Sequence, residues 1–190
     1  MKHVIIITLA AMLGLTATAC GQGKKGKAMV QENESKTLVA YFSATGTTEN
    51  VAKMIASATG GELYRITPVK EYSAEDLDWT VKESRCCIEN GDPSSRPEMV
   101  KSKGNLDGYD VIYLGFPNWW NGAPRIINTF IEAYDLKGKT VHLFMTSGGS
   151  GITNSLKTLR AAYPDIDFKD GRLLNGATQK DIESWVKTAE

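Results

Sequence analysis

The chain of 190 residues carries 22 basic and 22 acidic side chains, so its formal charge is zero. That balance lacks the electrostatic footprint of a nucleic-acid-binding protein, and no nucleic acid is expected as a partner. With 42% hydrophobic and 23% charged residues the composition is that of an ordinary globular protein, long enough for one well-buried domain plus an appendage.

The N-terminus differs from the rest. Met1, Lys2 and His3 make a short positive start, residues 4–15 are nearly unbroken apolar, and Thr16, Ala17, Thr18 and Ala19 lead to Cys20. This is the three-part pattern of a secretory signal, and its apolar run is shorter than the roughly 20 residues that span a bilayer. Small residues directly before a cysteine resemble a bacterial lipoprotein signal, although Ala17 stands where that pattern more often has leucine. The resemblance implies a lipidated Cys20, a membrane-anchored protein and a domain outside the cytoplasm. An uncleaved anchor or secretion without lipid are the other readings, and a start at Met29 would give a cytoplasmic protein. Residues 21–36 hold little to bury and read as a flexible tether. The expected organisation is a signal peptide over 1–19, the lipidated cysteine and tether over 20–36, and one domain over 37–190.

Within that domain, strands and helices alternate. Leu38, Val39, Ala40, Tyr41 and Phe42 form a continuous apolar run, as in a strand covered on both faces. Residues 48–58 place Val51, Ala52, Ile55 and Ala56 at helical spacing, and Gly60 and Gly61 end the helix. Residues 62–66 alternate like a partly exposed edge strand. Residues 110–116 and 140–145 read as buried strands, and Ile126, Ile127, Phe130, Ile131 and Tyr134 form a helical stripe between them. Helices are expected near 152–162 and 181–187, with a poorly marked last strand within 166–174. Residues 67–105 are long, polar and only weakly helical, and read as an excursion on one side of the sheet. The alternation predicts an α/β three-layer sandwich, a parallel sheet with helices on both faces, whose ligands bind beyond the strands' carboxyl ends.

Three strand-end loops carry chemistry. The first holds Ser43, Ala44, Thr45, Gly46, Thr47 and Thr48 between a strand and a helix. Free N–H groups and the helix dipole can hold a phosphate there, Gly46 lets the backbone approach, and hydroxyls add donors. An ordinary capped helix start would also use Ser and Thr. The loop lacks the lysine of a nucleoside-triphosphate loop and the spaced glycines of a dinucleotide fingerprint, so a terminal monophosphate fits. The second loop holds Pro117, Asn118, Trp119 and Trp120, and a flat aromatic pair suits a tricyclic ring. One tryptophan is expected in the core and the other on ligand, with the assignment open. The third holds Thr146, Ser147, Gly148, Gly149, Ser150 and Gly151, a polar backbone cradle or merely a flexible connection. Phosphate donors, an aromatic wall and a polar edge around one crevice are what FMN needs.

At these residues the sequence resembles the flavodoxin-like family, in a branch with a Pro-x-Trp-Trp loop. Residues 41–48 look like its phosphate signature, and the second and third loops like its flavin-ring loops. Asp76, Leu77, Asp78 and Trp79, with Ser94, Ser95, Arg96 and Pro97, also resemble that branch. The resemblance implies a five-stranded parallel sheet in the order 2-1-3-4-5 and FMN as cofactor. It further implies electron transfer to a redox partner protein or a small-molecule acceptor. An NAD(P)H-dependent quinone or flavin reductase is the alternative, so carrier or enzyme stays open. The chain departs from the family in being neutral and in having no aromatic in the third loop. One flavin face is therefore expected to be open unless Tyr72 or Trp79 folds over it. No catalytic side chain is expected. Cys86 and Cys87 are adjacent and read as small packing residues, and His142 lies inside a strand, so no metal site is expected.

Overall fold

The computed structural model describes residues 36–189. The expectations on residues 1–35, the signal, Cys20 and most of the tether, lie outside the described residues.

Among the described residues, eleven elements follow one another. They are β1 (Thr37–Tyr41), α1 (Thr47–Thr59), β2 (Glu62–Arg65), α2 (Arg85–Gly91), β3 (Val111–Pro117) and α3 (Arg125–Ala133), then β4 (Thr140–Thr146), α4 (Thr153–Ala162), β5 (Asp167–Phe168), β6 (Arg172–Leu173) and α5 (Gln179–Ala189). The sheet is parallel in the order β2-β1-β3-β4-β5, the flavodoxin-like α/β arrangement implied by the resemblance. Among the described residues no helix is long and apolar enough to cross a membrane.

Strand parity builds two cores. Leu38, Ala40, Ile112, Leu114, Val141 and Leu143 face α3 and α4, while Val39, Tyr41, Tyr113 and Phe144 face α1 and α5. Both faces of β1, β3 and β4 are thus dry, which is why these segments read as unbroken apolar runs rather than alternating ones. Gly115 is the exception to bulk in β3. A Cβ there would lie 2.0 Å from Phe144 Cζ, so the Phe144 ring fills the space that the glycine leaves.

The last strand is two short pieces rather than one. Both β5 and β6 run parallel to β4 on the same edge, paired at Thr140↔Asp167 and at Phe144↔Arg172. Between them Gly171 presses against β4, where a Cβ would meet the Leu143 carbonyl oxygen at 3.1 Å and Ile152 Cδ1 at 2.6 Å. The Arg160 guanidinium takes the Phe168 carbonyl at 2.6 Å and closes the gap from the α4 side. This interruption explains the weak strand pattern there.

Residues 67–105 hold one short helix, α2, and are tied at their base by an antiparallel bridge, Pro68↔Met99. Val69 N–H donates to the Glu98 carbonyl at 2.9 Å, and Val100 N–H to the Thr67 carbonyl at 2.8 Å. His142 is 4% exposed, stacked on Tyr113 at 5.0 Å, and burial holds its pKa below the ordinary histidine value. Among the described residues no cluster of His, Cys, Asp and Glu is placed to hold a metal.

The Gly115–Phe144 contact makes a direct test of the packing. Gly115→Ala should lower the unfolding free energy by about 1–3 kcal/mol, the usual cost of overpacking. Urea denaturation checks it, and an unchanged midpoint would mean that the ring moves aside freely.

Candidate functional site

β1, β3 and β4 lie side by side, so the loops leaving their carboxyl ends meet on one rim. Thr146, the last residue of β4, is where they join. Its hydroxyl shares a hydrogen bond of 2.8 Å with the Thr48 hydroxyl, and both residues are buried. Its carbonyl accepts the Asn118 N–H at 2.7 Å. One residue thus fastens the first, second and third loops together.

In the first loop Gly46 caps α1 with φ +87°, a left-handed conformation that glycine adopts without penalty. A Cβ there would meet nothing within 4 Å, so the space before the helix end is open. No side chain caps this helix, which leaves its first N–H groups available to an anion. The hydroxyls divide their work. Ser43 Oγ accepts the Gly46 N–H at 3.1 Å and Thr48 is spent on Thr146, whereas Thr45 and Thr47 are exposed. Glu49, the acidic residue of the first turn, is held by Lys53 at 2.6 Å, and that hydrogen bond keeps its carboxyl below the usual range. Its charge is therefore matched one turn along the helix, away from the helix end.

In the second loop the two tryptophans differ in packing. Trp119 packs edge-on against Phe42 at 5.6 Å and against Tyr72 at 5.4 Å, on the margin of the core. Trp120 is 44% exposed. It occupies the first corner of a tight turn, with φ +47° at Trp120 and +62° at Asn121, closed by Trp119 N–H to the Gly122 carbonyl at 3.0 Å and Gly122 N–H to the Trp119 carbonyl at 2.9 Å. These are the angles of a type I′ turn, which favours Asn and Gly. A bulky aromatic in the left-handed region costs roughly 1–2 kcal/mol, and strain of that kind gathers at ligand sites. Asn154 Nδ2 donates to the Asn121 carbonyl at 2.7 Å and holds the turn from the start of α4. Asn118 Oδ1 is buried with no hydrogen-bond partner.

The third loop is more ordered than a flexible connection. Ser147 Oγ accepts N–H groups from Gly149 at 3.1 Å and Ser150 at 2.9 Å. Ser147 N–H donates to Asn175 Oδ1 at 2.7 Å, and Asn175 Nδ2 donates back to the Ser147 carbonyl. Two N–H groups of the loop are therefore engaged internally. Gly148, Gly149 and Gly151 are exposed, and a Cβ on any of them would meet nothing within 4 Å. The sequence reading missed Asn175 and Asn154; the Asn175-Gly176 pair, with Gly176 at φ +64°, was the turn signal that could have marked the first.

The excursion does reach the site. Tyr72 wedges between Phe42 and Trp119, and its hydroxyl donates to Glu89 at 2.5 Å. Burial, with the Glu89 carboxylate second, holds the Tyr72 phenol well above its ordinary pKa, so it remains a donor. Arg85 pairs with Glu89 at 2.6 Å and lies 3.8 Å over the Tyr72 ring. Trp79 is 72% exposed and comes beside Trp119 and Trp120.

Comparisons with known proteins agree with this architecture. The family model described as Flavodoxin matches residues 36–189. A crystal structure from Bacteroides uniformis, of a protein provisionally described as a flavoprotein, is 55% identical, with a TM-score of 0.79 over 80% of this chain and 98% of that one. A flavoprotein from Lactobacillus acidophilus, solved in complex with FMN, shares the fold at 20% identity, with a TM-score of 0.64 over 80% of this chain and 99% of that one. Flavodoxin 1 of Salmonella typhimurium is 28% identical over 112 residues, 57% of this chain and 47% of that protein. The chain thus spans about half the length of the curated relatives it matches. With the whole described domain inside the family match, this chain belongs to the flavodoxin family.

Proposed function

We propose that the chain binds FMN at the rim of β1, β3 and β4 and serves in electron transfer. The observation that carries this reading is the joining of three loops of different chemistry at Thr146. The open, uncapped start of α1 suits a terminal phosphate, with N–H groups from Thr47 onward and the exposed Thr45 and Thr47 hydroxyls as donors. No lysine or arginine takes part in this cradle as proposed, so the anion is held by dipoles and hydroxyls. Trp120 offers its indole as one wall for the ring, held in place by the closed turn and by Asn154. The orphaned Asn118 Oδ1 is an acceptor suited to an N–H of the ring. Gly148, Gly149 and Gly151 present backbone and no side chain on the other side. FMN, when bound, would supply the redox chemistry, and the chain's part is to hold and orient it.

The N-terminal pattern supports a second part of the proposal, a lipid anchor on Cys20 that keeps the domain at a membrane. The support is the positive start, the short apolar run and the small residues before the cysteine.

Three outcomes test these readings. Apoprotein mixed with FMN should develop a perturbed flavin absorbance, and riboflavin, lacking the phosphate, should bind at least about tenfold more weakly, as expected for losing one or more charge-assisted hydrogen bonds. Equal affinity for both would remove the first loop from the site. Trp120→Gly should leave the unfolding midpoint unchanged or raise the stability by about 1 kcal/mol, because the left-handed strain is relieved. The same variant should weaken FMN by roughly tenfold through lost stacking; unchanged affinity in an equilibrium titration would place Trp120 outside the site. For the anchor, Cys20→Ser should move the 190-residue chain from the membrane fraction to the soluble fraction on ultracentrifugation, and a distribution like that of the parent chain would refute it.

A further inference from the structure

Away from the rim, a cleft of about 320 Å³ opens between β4, the interrupted edge strand and α5. Its walls include His142, Lys169, Asp170, Gly171, Arg172 and Trp185. None of its residues belongs to the first, second or third loop. His142 stands four positions before Thr146 on β4, about 13 Å away along a strand that rises roughly 3.3 Å per residue. The cleft exists because the edge is broken. β5 ends at Phe168 and β6 begins at Arg172, and Lys169 N–H holds the gap to β4 by donating to the Val141 carbonyl at 2.9 Å.

His142 is the feature that calls for a ligand. It is 4% exposed, stacked on Tyr113 of β3 and edge-on to Trp185 of α5 at 6.5 Å. These neighbours hold it by ring contacts, and among the described residues neither ring nitrogen has a hydrogen-bond partner. Burial, with the Lys169 charge second, outweighs the opposing pull of Asp167 and keeps the imidazole neutral at pH 7. It therefore carries one N–H donor and one acceptor nitrogen. Buried polar groups are normally satisfied, so an unmatched imidazole lining a cleft marks a place that another molecule completes.

The charged groups around it are not all spent. Lys169 pairs with Asp167 at 2.7 Å, and Asp170 meets Arg160 of α4 at 3.4 Å with its side chain 97% exposed. Of the charged residues in the cleft, only Arg172 makes no ion pair and no side-chain hydrogen bond among the described residues. The Thr188 hydroxyl is taken by the Trp185 carbonyl at 2.8 Å. The cleft thus presents one unmatched positive charge, one neutral ring with an open N–H, and the indole of Trp185.

We propose that this cleft binds a small organic monocarboxylate, its acid group on Arg172 and its carbon body against the His142 and Trp185 rings. A carboxylate matches the paired N–H groups of a guanidinium, and the His142 N–H supplies a further donor. One unmatched positive charge favours a monoanion, because a second negative charge would be buried without a partner. The rings favour an acid with an apolar body over a bare inorganic anion. The volume is at the small end of the roughly 300–1,000 Å³ of ligand pockets, which suits an acid of about the size of benzoate. The inference goes beyond the FMN proposal and does not rest on it.

Benzoate is a suitable probe, with benzamide as its uncharged counterpart and inorganic phosphate as a bare anion. Proton NMR of the 190-residue chain follows the His142 ring, which its lowered pKa separates from the other histidine, His3. Benzoate should shift that resonance saturably and raise the His142 pKa, because a negative charge beside the ring favours its protonated form. Benzamide and phosphate should each bind at least about tenfold more weakly, the scale of a lost charge-assisted hydrogen bond or of a lost ring contact. Arg172→Met should weaken benzoate by a similar factor and leave benzamide binding and FMN uptake as they were. Arg172 is exposed, so its loss should not disturb the fold, which far-ultraviolet circular dichroism would verify. A His142 resonance that benzoate leaves unmoved would overturn the proposal, as would equal binding of benzamide or phosphate, or equal benzoate affinity in the Arg172→Met variant. Displacement of FMN by benzoate would also overturn it, since the acid would then occupy the strand-end crevice. Benzoate binding by a chain that takes up no FMN would support the cleft while sinking the flavin reading, so the two failures are distinguishable.

Discussion

The carboxyl end of β4 is the point on which the site depends. Thr146 finishes a strand buried on both faces, so its hydroxyl and carbonyl cannot be left without partners. The Thr48 hydroxyl and the Asn118 N–H meet those needs. Both bonds are local in geometry and distant in sequence, the first spanning 98 residues. Their consequence is that the phosphate-type loop, the tryptophan turn and the glycine-rich loop cannot move independently. A site assembled from loops acquires the rigidity of the central strands beneath it.

A second polar knot does for the excursion what Thr146 does for the rim. Glu89 is buried, and its carboxylate is met by Tyr72 and Arg85. A buried charge without such partners would be costly, so this arrangement fixes where α2 can sit. Through Tyr72 it also fixes Trp119, because the two rings are in edge contact. Trp119 therefore belongs to the scaffold and Trp120 to the surface, although the two are neighbours in the chain. The strain at Trp120 is maintained by this surrounding structure: the turn is closed by its own backbone bonds and by Asn154.

Much of the fold was legible because its central strands are dry on both faces. β1, β3 and β4 appear as apolar runs, and the helices between them as stripes at helical spacing, so a parallel sheet follows from pattern alone. The edge was harder. β5 and β6 are two residues each, interrupted where Gly171 lies against β4, and no periodicity survives over so short a span. The excursion was harder still. Its order comes from Tyr72, Arg85 and Glu89, and paired contacts between residues 17 and 4 apart leave no periodic trace.

For the site, the sequence by itself determined the kinds of group available: hydroxyls and a glycine before a helix, a rigid tryptophan pair, and a glycine-rich turn. Those follow from local chemistry, since a helix start, a proline and a positive-φ glycine impose their constraints within a few residues. Only the tertiary structure decided how each group is used. It spent the Thr48 hydroxyl on Thr146, left Thr45 and Thr47 free to face outward, placed Trp119 against Tyr72 and Trp120 in the open, and recruited Asn154 and Asn175 from distant segments. The reason is physical. Which polar group finds a partner, and which aromatic face is covered, is settled by what the packed sheet brings within hydrogen-bonding or contact distance, and that is set by topology rather than by neighbours in sequence.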